Sequence, residues 1–472
     1  MRPAVPVIAG SADSNPDKRK STMTSQHEVG GSYRTLVDGS PLSTLQWAVF
    51  ILCFLIMFLD GLDTVLIGFL APYIGAEWQL AKGALTPAFT AGVAGLMIAG
   101  CGAGILADRV GRRPLLLGAV AVFGLANLAT AYCASLEALV AWRFVTGLGL
   151  GAAMPCAVTL VSEYAPARRR ALVITSMYCG YTLGGAAVGW LTPIVTQQHG
   201  WRAMFVIGAV LPLALLPWLF WRLPESIGFL AERRGDRGAV AALLSRIVGR
   251  QVEVPALPER QAAAVNPLSI ILSAAYRRKT ALLWLANGAG LLMTFTLINW
   301  LPSFLTFKGV PAPTASLSGA SLQAGGAIGA LLIGWLMDRF GSRAVVVATY
   351  LGAALVSLLW IAVVDRGSAA LLLTGFLAGV LVMGGQTGFQ VLATSVYPVA
   401  ARATGLSWMQ SVGRLGGILG IQLAGIGVAS DVDPVTLLQA LAMPALLAAV
   451  AAASLHAGSR LLRGDATAAK GG

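Results

Sequence analysis

A chain of 472 residues with 57% hydrophobic and 11% charged residues and a mean hydropathy of +0.76 is too apolar for a soluble domain, where charged residues make up about 25%. It reads as an integral membrane protein. Its net charge of +13 then reports membrane topology first and attraction to anionic lipid second, and does not imply a nucleic-acid partner.

The first 44 residues are polar and hold Lys18, Arg19 and Lys20 with no apolar core behind them, so they read as a disordered cytoplasmic tail and not as a cleavable signal. Twelve apolar runs follow, each near the roughly 20 residues needed to cross a bilayer. They cover 45–74, 86–107, 114–133, 136–162, 171–195, 203–223, 279–307, 314–337, 343–364, 368–397, 403–429 and 433–457. The longest gap, 224–278, holds "AERRGDRGAVAALLSRIVGR" and reads as a cytoplasmic central loop with an amphipathic helix on the membrane surface. An all-α membrane protein is predicted, with six-helix bundles at 45–223 and 279–458 and a cytoplasmic tail at 459–472.

Lys and Arg fix the orientation, because short loops rich in them stay in the cytoplasm. Alternate loops carry Arg109, Arg112 and Arg113, then Arg168 to Arg170, the central loop, Arg339 with Arg343, and Arg402. The opposite loops hold little beyond Lys82, Arg202, Lys308 and Arg366. Both termini are therefore expected in the cytoplasm, and the inner membrane is the expected location. Cys53, Cys101, Cys133, Cys156 and Cys179 all fall within predicted spans without metal-ligand spacing, so no metal site is expected.

The first span contains "MFLDGLDTVLIGFLAP", which puts Asp60 and Asp63 inside an apolar helix at about 3 kcal/mol each on insertion scales. At i and i+3 they share a face. Burial and a neighbouring like charge both favour a neutral carboxyl, so one of them could carry a proton near neutral pH. The competing reading is a salt bridge or a cap beside Gly61. His27 in the tail, His199 in an outer loop and His456 near the last helix end are placed away from the midplane, which leaves proton transfer to carboxylates. Arg143 in the fourth span could pair with Glu163 or with Asp60, a coupling role. Arg414 in the eleventh span, flanked by Gly413, Gly416 and Gly417, offers a planar guanidinium suited to a carboxylate, unless it snorkels to the interface.

"GILADRVGRRP" from Gly104 recurs as "GWLMDRFGSRA" from Gly334, 230 positions on, and the same offset carries Pro72 onto Pro302. "EYAPARRRA" at Glu163 has a looser counterpart in "VYPVAARAT" near Val396. The halves are repeats, and parallel repeats of this kind rock about a midplane site. Asp108, Arg109, Arg112, Arg113, Asp338, Arg339 and Arg402 lie at cytoplasmic helix ends, where ion pairs can gate. The pairs Gly100 with Gly104, Gly147 with Gly151, Gly180 with Gly184, Gly185 with Gly189 and Gly416 with Gly420 have the spacing of close helix contacts.

The G-x-L-A-D-R-x-G-R-R run, with Arg143, Gly147, Gly149 and Gly151 in the fourth span, resembles the major facilitator superfamily over nearly the whole chain. "DGLDTVLIGFLAP", "GLGLGAAMPCAVTLVSEYAPARRRA", "LPES", "NWLPSFL" and "RATGLSWMQSVGRLGGILG" resemble more narrowly its aromatic acid:proton symporter family, although Leu62 stands where that family often has an aromatic residue. The resemblance implies a monomeric, cofactor-free carrier, not an enzyme, that imports benzoate-type acids such as 4-hydroxybenzoate or protocatechuate with protons. For the ring, polar or aromatic residues in the spans are the candidates: Asn299, Trp300, Phe304, Gln323, Gln386 and Gln390. Gln323 stands out, because an amide in an apolar span needs a partner. Proton-driven efflux on the same scaffold, a non-transporting receptor and a membrane enzyme are the alternatives; the last two lack a signalling domain and a catalytic motif respectively.

Overall fold

The computed structural model describes residues 35–231, 235–252 and 267–455. The tails before 35 and after 455, with His27 and His456, lie outside the described residues. Among the described residues, twelve helices are long and apolar enough to span a membrane. They are α1 (Thr44–Glu77), α2 (Thr86–Val110), α3 (Arg112–Ala131), α4 (Leu136–Tyr164), α5 (Ala167–His199) and α6 (Arg202–Arg222), then α7 (Arg277–Phe307), α8 (Ala312–Phe340), α9 (Ser342–Val363), α10 (Ser368–Val396), α11 (Val399–Ala429) and α12 (Pro434–Ala453). Each corresponds to one apolar run, and several extend past it. α5 starts among Arg168 to Arg170 because a helix ends where its backbone bonds are capped, whereas a hydropathy window ends where charge begins.

Local chemistry sets the ends. Ser43 caps α1 reciprocally with Gln46, a capping box, and the Gln46 amide also donates to the Tyr164 carbonyl at 2.7 Å, tying the start of α1 to the end of α4. Between α2 and α3 the chain reverses at Gly111 (φ 110), and between α8 and α9 at Gly341 (φ 85). A side chain disfavours this conformation, which is why both copies of the repeat keep glycine there.

The repeat extends to packing. A Cβ on Gly147 of α4 would lie 2.1 Å from the Gly92 carbonyl of α2, and one on Gly379 of α10 would lie 1.8 Å from the Leu322 carbonyl of α8. Likewise Gly184 of α5 abuts Phe58 of α1, and Gly416 of α11 abuts Gly288 of α7. The same crossings thus recur in each half, with glycine letting backbones touch. The halves meet chiefly along α5 with α8, α1 with α7 and α2 with α11, with a smaller contact of α1 on α8.

That meeting is lopsided. One hydrophobic core runs from the second half through Leu62 to Ile74 of α1 and on to Phe89 and Phe205. The other part of the first half, near the arginine-rich loops, has a separate core around Cys53, Ile56, Phe123 and Leu160. In the central segment, Arg237–Val248 is the expected amphipathic helix, but Val240, Leu244 and Ile247 are buried in this second core.

Candidate functional site

Asp63 and Arg143 form a buried ion pair, each at most 2% exposed. Arg143 Nη1 donates to Asp63 Oδ1 at 3.2 Å and Nη2 donates to Oδ2 at 3.4 Å and to the Asp63 carbonyl at 3.2 Å. Asn127 of α3 accepts a further bond from Nη1 at 3.4 Å, and Phe205 of α6 lies 6.0 Å beneath the guanidinium carbon. Four helices of the first half therefore converge on one cation. Arg143 meets neither of the two carboxylates expected for it, Glu163 and Asp60; its partner is Asp63, less than one turn beyond Asp60 on the same helix. Glu163 instead lies at the basic end, accepting from the Ser226 hydroxyl at 2.7 Å and the Gly228 amide at 3.2 Å.

Asp60 is also buried, but its carboxylate receives a bond from the Thr64 hydroxyl at 3.2 Å and forms no ion pair among the described residues. Across the interface, the Arg414 side chain reaches from α11 to Gly100 of α2, where a Cβ would stand 2.6 Å from Nη1. No hydrogen bond or ion pair engages Arg414 among the described residues, while Asp60, Tyr178 and Tyr181 lie within electrostatic range of it. A cavity of about 20 Å³ joins Thr64 and Arg143 to Phe89, Phe295 and Asn299, room for about one water molecule.

The residues considered for the ring separate into groups. Asn299 donates to the Phe295 carbonyl of its own helix at 2.8 Å and faces the small cavity. Trp300 donates to the Ile421 carbonyl at 3.2 Å, stacks on Phe304 at 5.7 Å and meets Phe89 edge-on at 5.1 Å. These rings seal the two halves together on the far side of the midplane from the basic loops. Gln323, 1% exposed, packs against Gly185 at the α5–α8 contact, and neither atom of its amide has a partner. Gln386 turns its unpartnered Nε2 towards Gly290, beside the equally unpartnered Tyr350 hydroxyl. Gln390 is half-buried one turn further on.

The Major Facilitator Superfamily model matches residues 53–421. The chain belongs to that superfamily. It is 40% identical over 425 residues to the 4-hydroxybenzoate transporter PcaK of Pseudomonas aeruginosa, spanning 89% of this chain and 94% of that one. It is 38% identical over 421 residues to a gallate transporter of Pseudomonas putida, spanning 88% and 93%. These relatives are transporters and not enzymes. Among solved structures, a partially occluded inward-open form of the xylose transporter XylE from E. coli superposes with a TM-score of 0.69 at 17% identity, over 86% of this chain and 97% of that one, which supports the fold.

The superfamily's arginine-rich helix ends serve each half separately here. Asp108 bonds Arg112 at 3.0 Å. Arg112 and Arg113 lie over Phe229 and Phe220, and Arg113 also donates to the Phe220 carbonyl. Arg339 covers Trp335 and Phe340, the Nε of Arg402 has no partner, and Arg109 and Asp338 lie beside these at the same end. Among the described residues, the polar bonds between halves lie at the opposite end: Lys82 to Asp431 at 2.7 Å and Gln422 to Thr90 at 2.9 Å. Gly102 and Gly104 of α2 face open space. The transporter is thus closed at the end away from the basic loops, and among the described residues no polar bond joins the halves at the basic end.

Several functional residues were illegible in the sequence. Thr64, Asn127, Tyr178 and Tyr181 are ordinary polar residues in spans and acquire roles only through their neighbours. Glu225 accepts from the amides of Arg112 and Arg113 at 2.9 and 3.0 Å, capping the start of α3, where an anion is favoured. Its place in "LPES" was the available signal. Lys82 and Asp431 sit in loops read only as topology markers.

Proposed function

We propose that this transporter imports an aromatic carboxylate together with protons across the inner membrane by alternating access. The observation that carries the reading is Arg414, a guanidinium between the halves with no hydrogen-bond partner among the described residues. Such a group is costly at mid-membrane unless an anion completes it, and a planar fork suits a carboxylate. The 4-hydroxybenzoate and gallate named for its relatives are carboxylates of this kind. Asp60 is the proton carrier in this reading. Asp63 is already paired with Arg143, whereas Asp60 meets only a hydroxyl, which leaves Asp60 as the carboxyl free to take up and release a proton. Gln323 and Gln386, with unpartnered amides, are offered to ring substituents.

The reading includes a monomer whose basic loops and both termini face the cytoplasm, so that the end bonded across the halves is the outward one. It treats 45–223 and 279–458 as the two moving bodies and the arginine-rich helix ends, with Glu163, as groups that engage when the basic end closes. The test is uptake of radiolabelled 4-hydroxybenzoate by cells expressing the protein, with and without a proton uncoupler. Accumulation that collapses with the uncoupler is expected. Uncoupler-enhanced retention would mean export, and absence of both would reject an aromatic acid cargo.

A further inference from the structure

We propose that the cavity at the end opposite the basic loops is a waiting site for the aromatic carboxylate, and that a ligand seated there unlatches the halves by taking Lys82 from Asp431. This rests on the aromatic-acid reading above. The cavity measures about 450 Å³ and lies between the end of α1, the α1–α2 turn and the end of α7, so both halves contribute to it. Its volume falls in the range of small-molecule sites, roughly 300–1,000 Å³.

Its floor is the Phe89–Trp300 pair. Phe89 also lines the small cavity that holds Arg143 and Asn299, so one ring divides the outer cavity from the midplane polar site. Phe307 and Pro72 give apolar walls, Ser303 and Thr306 give hydroxyls, and Lys82 supplies a cation. Apolar faces for a ring, hydroxyls for a substituent and one positive charge match an aromatic acid and no simple hydrocarbon.

Lys82 belongs to the first half and Asp431 to the second, and both side chains are well exposed, at 57% and 78%. Surface ion pairs of this sort contribute little. A carboxylate whose ring is buried in the cavity at the same time can therefore displace Asp431, since Asp431 brings no such apolar contact. Once Asp431 is released, the Phe89–Trp300 contact at the cavity floor, the Gln422–Thr90 bond and the packing of Gly83 and Thr86 against Gly425 remain between the halves at this end.

Three variants separate site from latch. Lys82→Gln removes the cation, Gly75→Leu fills the cavity from a position whose Cβ meets nothing within 4 Å, and Asp431→Asn breaks the latch while freeing Lys82. Initial rates of 4-hydroxybenzoate uptake are expected to show KM raised at least fivefold in Lys82→Gln and Gly75→Leu, with the maximal rate within twofold. Asp431→Asn should lower KM or leave it unchanged. Surface expression and ligand affinity of each purified variant guard against misfolding. Wild-type KM in both Lys82→Gln and Gly75→Leu overturns the proposal, as does an equal shift in the same direction for Lys82→Gln and Asp431→Asn, which would make the pair a latch alone. An effect of Gly75→Leu without one of Lys82→Gln would assign the cavity to lipid. If these variants match a wild type that transports, the waiting site alone fails; a wild type that takes up no aromatic acid rejects the underlying reading of function.

Discussion

Asp60 and Asp63 stand less than one turn apart on α1, yet one is locked to Arg143 and the other meets only Thr64. Their substitutions should differ accordingly. Asp63→Asn strands the buried Arg143, and breaking one member of such a pair costs about 3–5 kcal/mol; a marked drop in melting temperature is expected, partly recovered in the double variant Asp63→Asn, Arg143→Gln. Asp60→Asn should keep the fold and substrate exchange but lose accumulation driven by a proton gradient. Equal thermal stability of the two single variants would contradict this division. Arg414→Lys keeps the charge but not the fork. Loss of one charge-assisted bond, about 1.5–3 kcal/mol, predicts an affinity for 4-hydroxybenzoate at least tenfold weaker by calorimetry, with stability unchanged.

Helix contacts carry a sharper test, because glycines of one type sit in opposite surroundings. On Gly147 or Gly379 a Cβ would stand 2.1 or 1.8 Å from the backbone of the neighbouring helix, which cannot swing aside as a side chain can. Overpacking of this kind costs about 1–3 kcal/mol or more, so Gly147→Ala and Gly379→Ala should each lower the melting temperature by several degrees. Gly102→Ala and Gly104→Ala meet open space and gain helix propensity worth up to about 1 kcal/mol; their melting temperatures should hold or rise. The pairing also shows where the repeat is broken for function. The positions 230 beyond Asp60 and Asp63 are Gly290 and Met293, so the first half carries the carboxylates and the second supplies Arg414.

For the whole molecule, affinity should fall between pH 5.5 and 8 if protonation of Asp60 accompanies anion binding, because linkage makes the coupling reciprocal. The exposed pairs at the closed end do not contribute in that window. The hydrogen bond from Lys82 and its charge hold the Asp431 carboxyl below its usual range, and the Val435 amide followed by the Lys308 hydrogen bond does the same for Asp433. Such groups add their stabilisation above the ordinary carboxyl value near 4 and lose it only as pH drops through the lowered one. The measurement is ligand affinity against pH: Asp431→Asn should keep the wild-type slope and Asp60→Asn should flatten it. A slope common to all three proteins would place the proton elsewhere.

The sequence determined whatever depends on composition and period. Twelve spans follow from the length of apolar runs, and the repeat from Gly104 and Gly334 marks two related halves; that Gly111 and Gly341 make the turns, and that α4 on α2 recurs as α10 on α8, emerged only in the structure. The intramembrane charges Asp60, Asp63, Arg143 and Arg414 were legible because charge in lipid is costly and therefore conspicuous. Tertiary structure alone decided their partners, since the spacing of Asp60 and Asp63 is compatible with either meeting Arg143 and only the rotation of α1 against α3 and α4 selects Asp63. It also moved Trp300 and Phe304 into the seal between halves and turned Glu163 to the basic end, and it exposed the Lys82–Asp431 contact, whose members are 349 residues apart. Contacts across that separation arise when two rigid bundles meet, and no local pattern in either bundle encodes the angle at which they do.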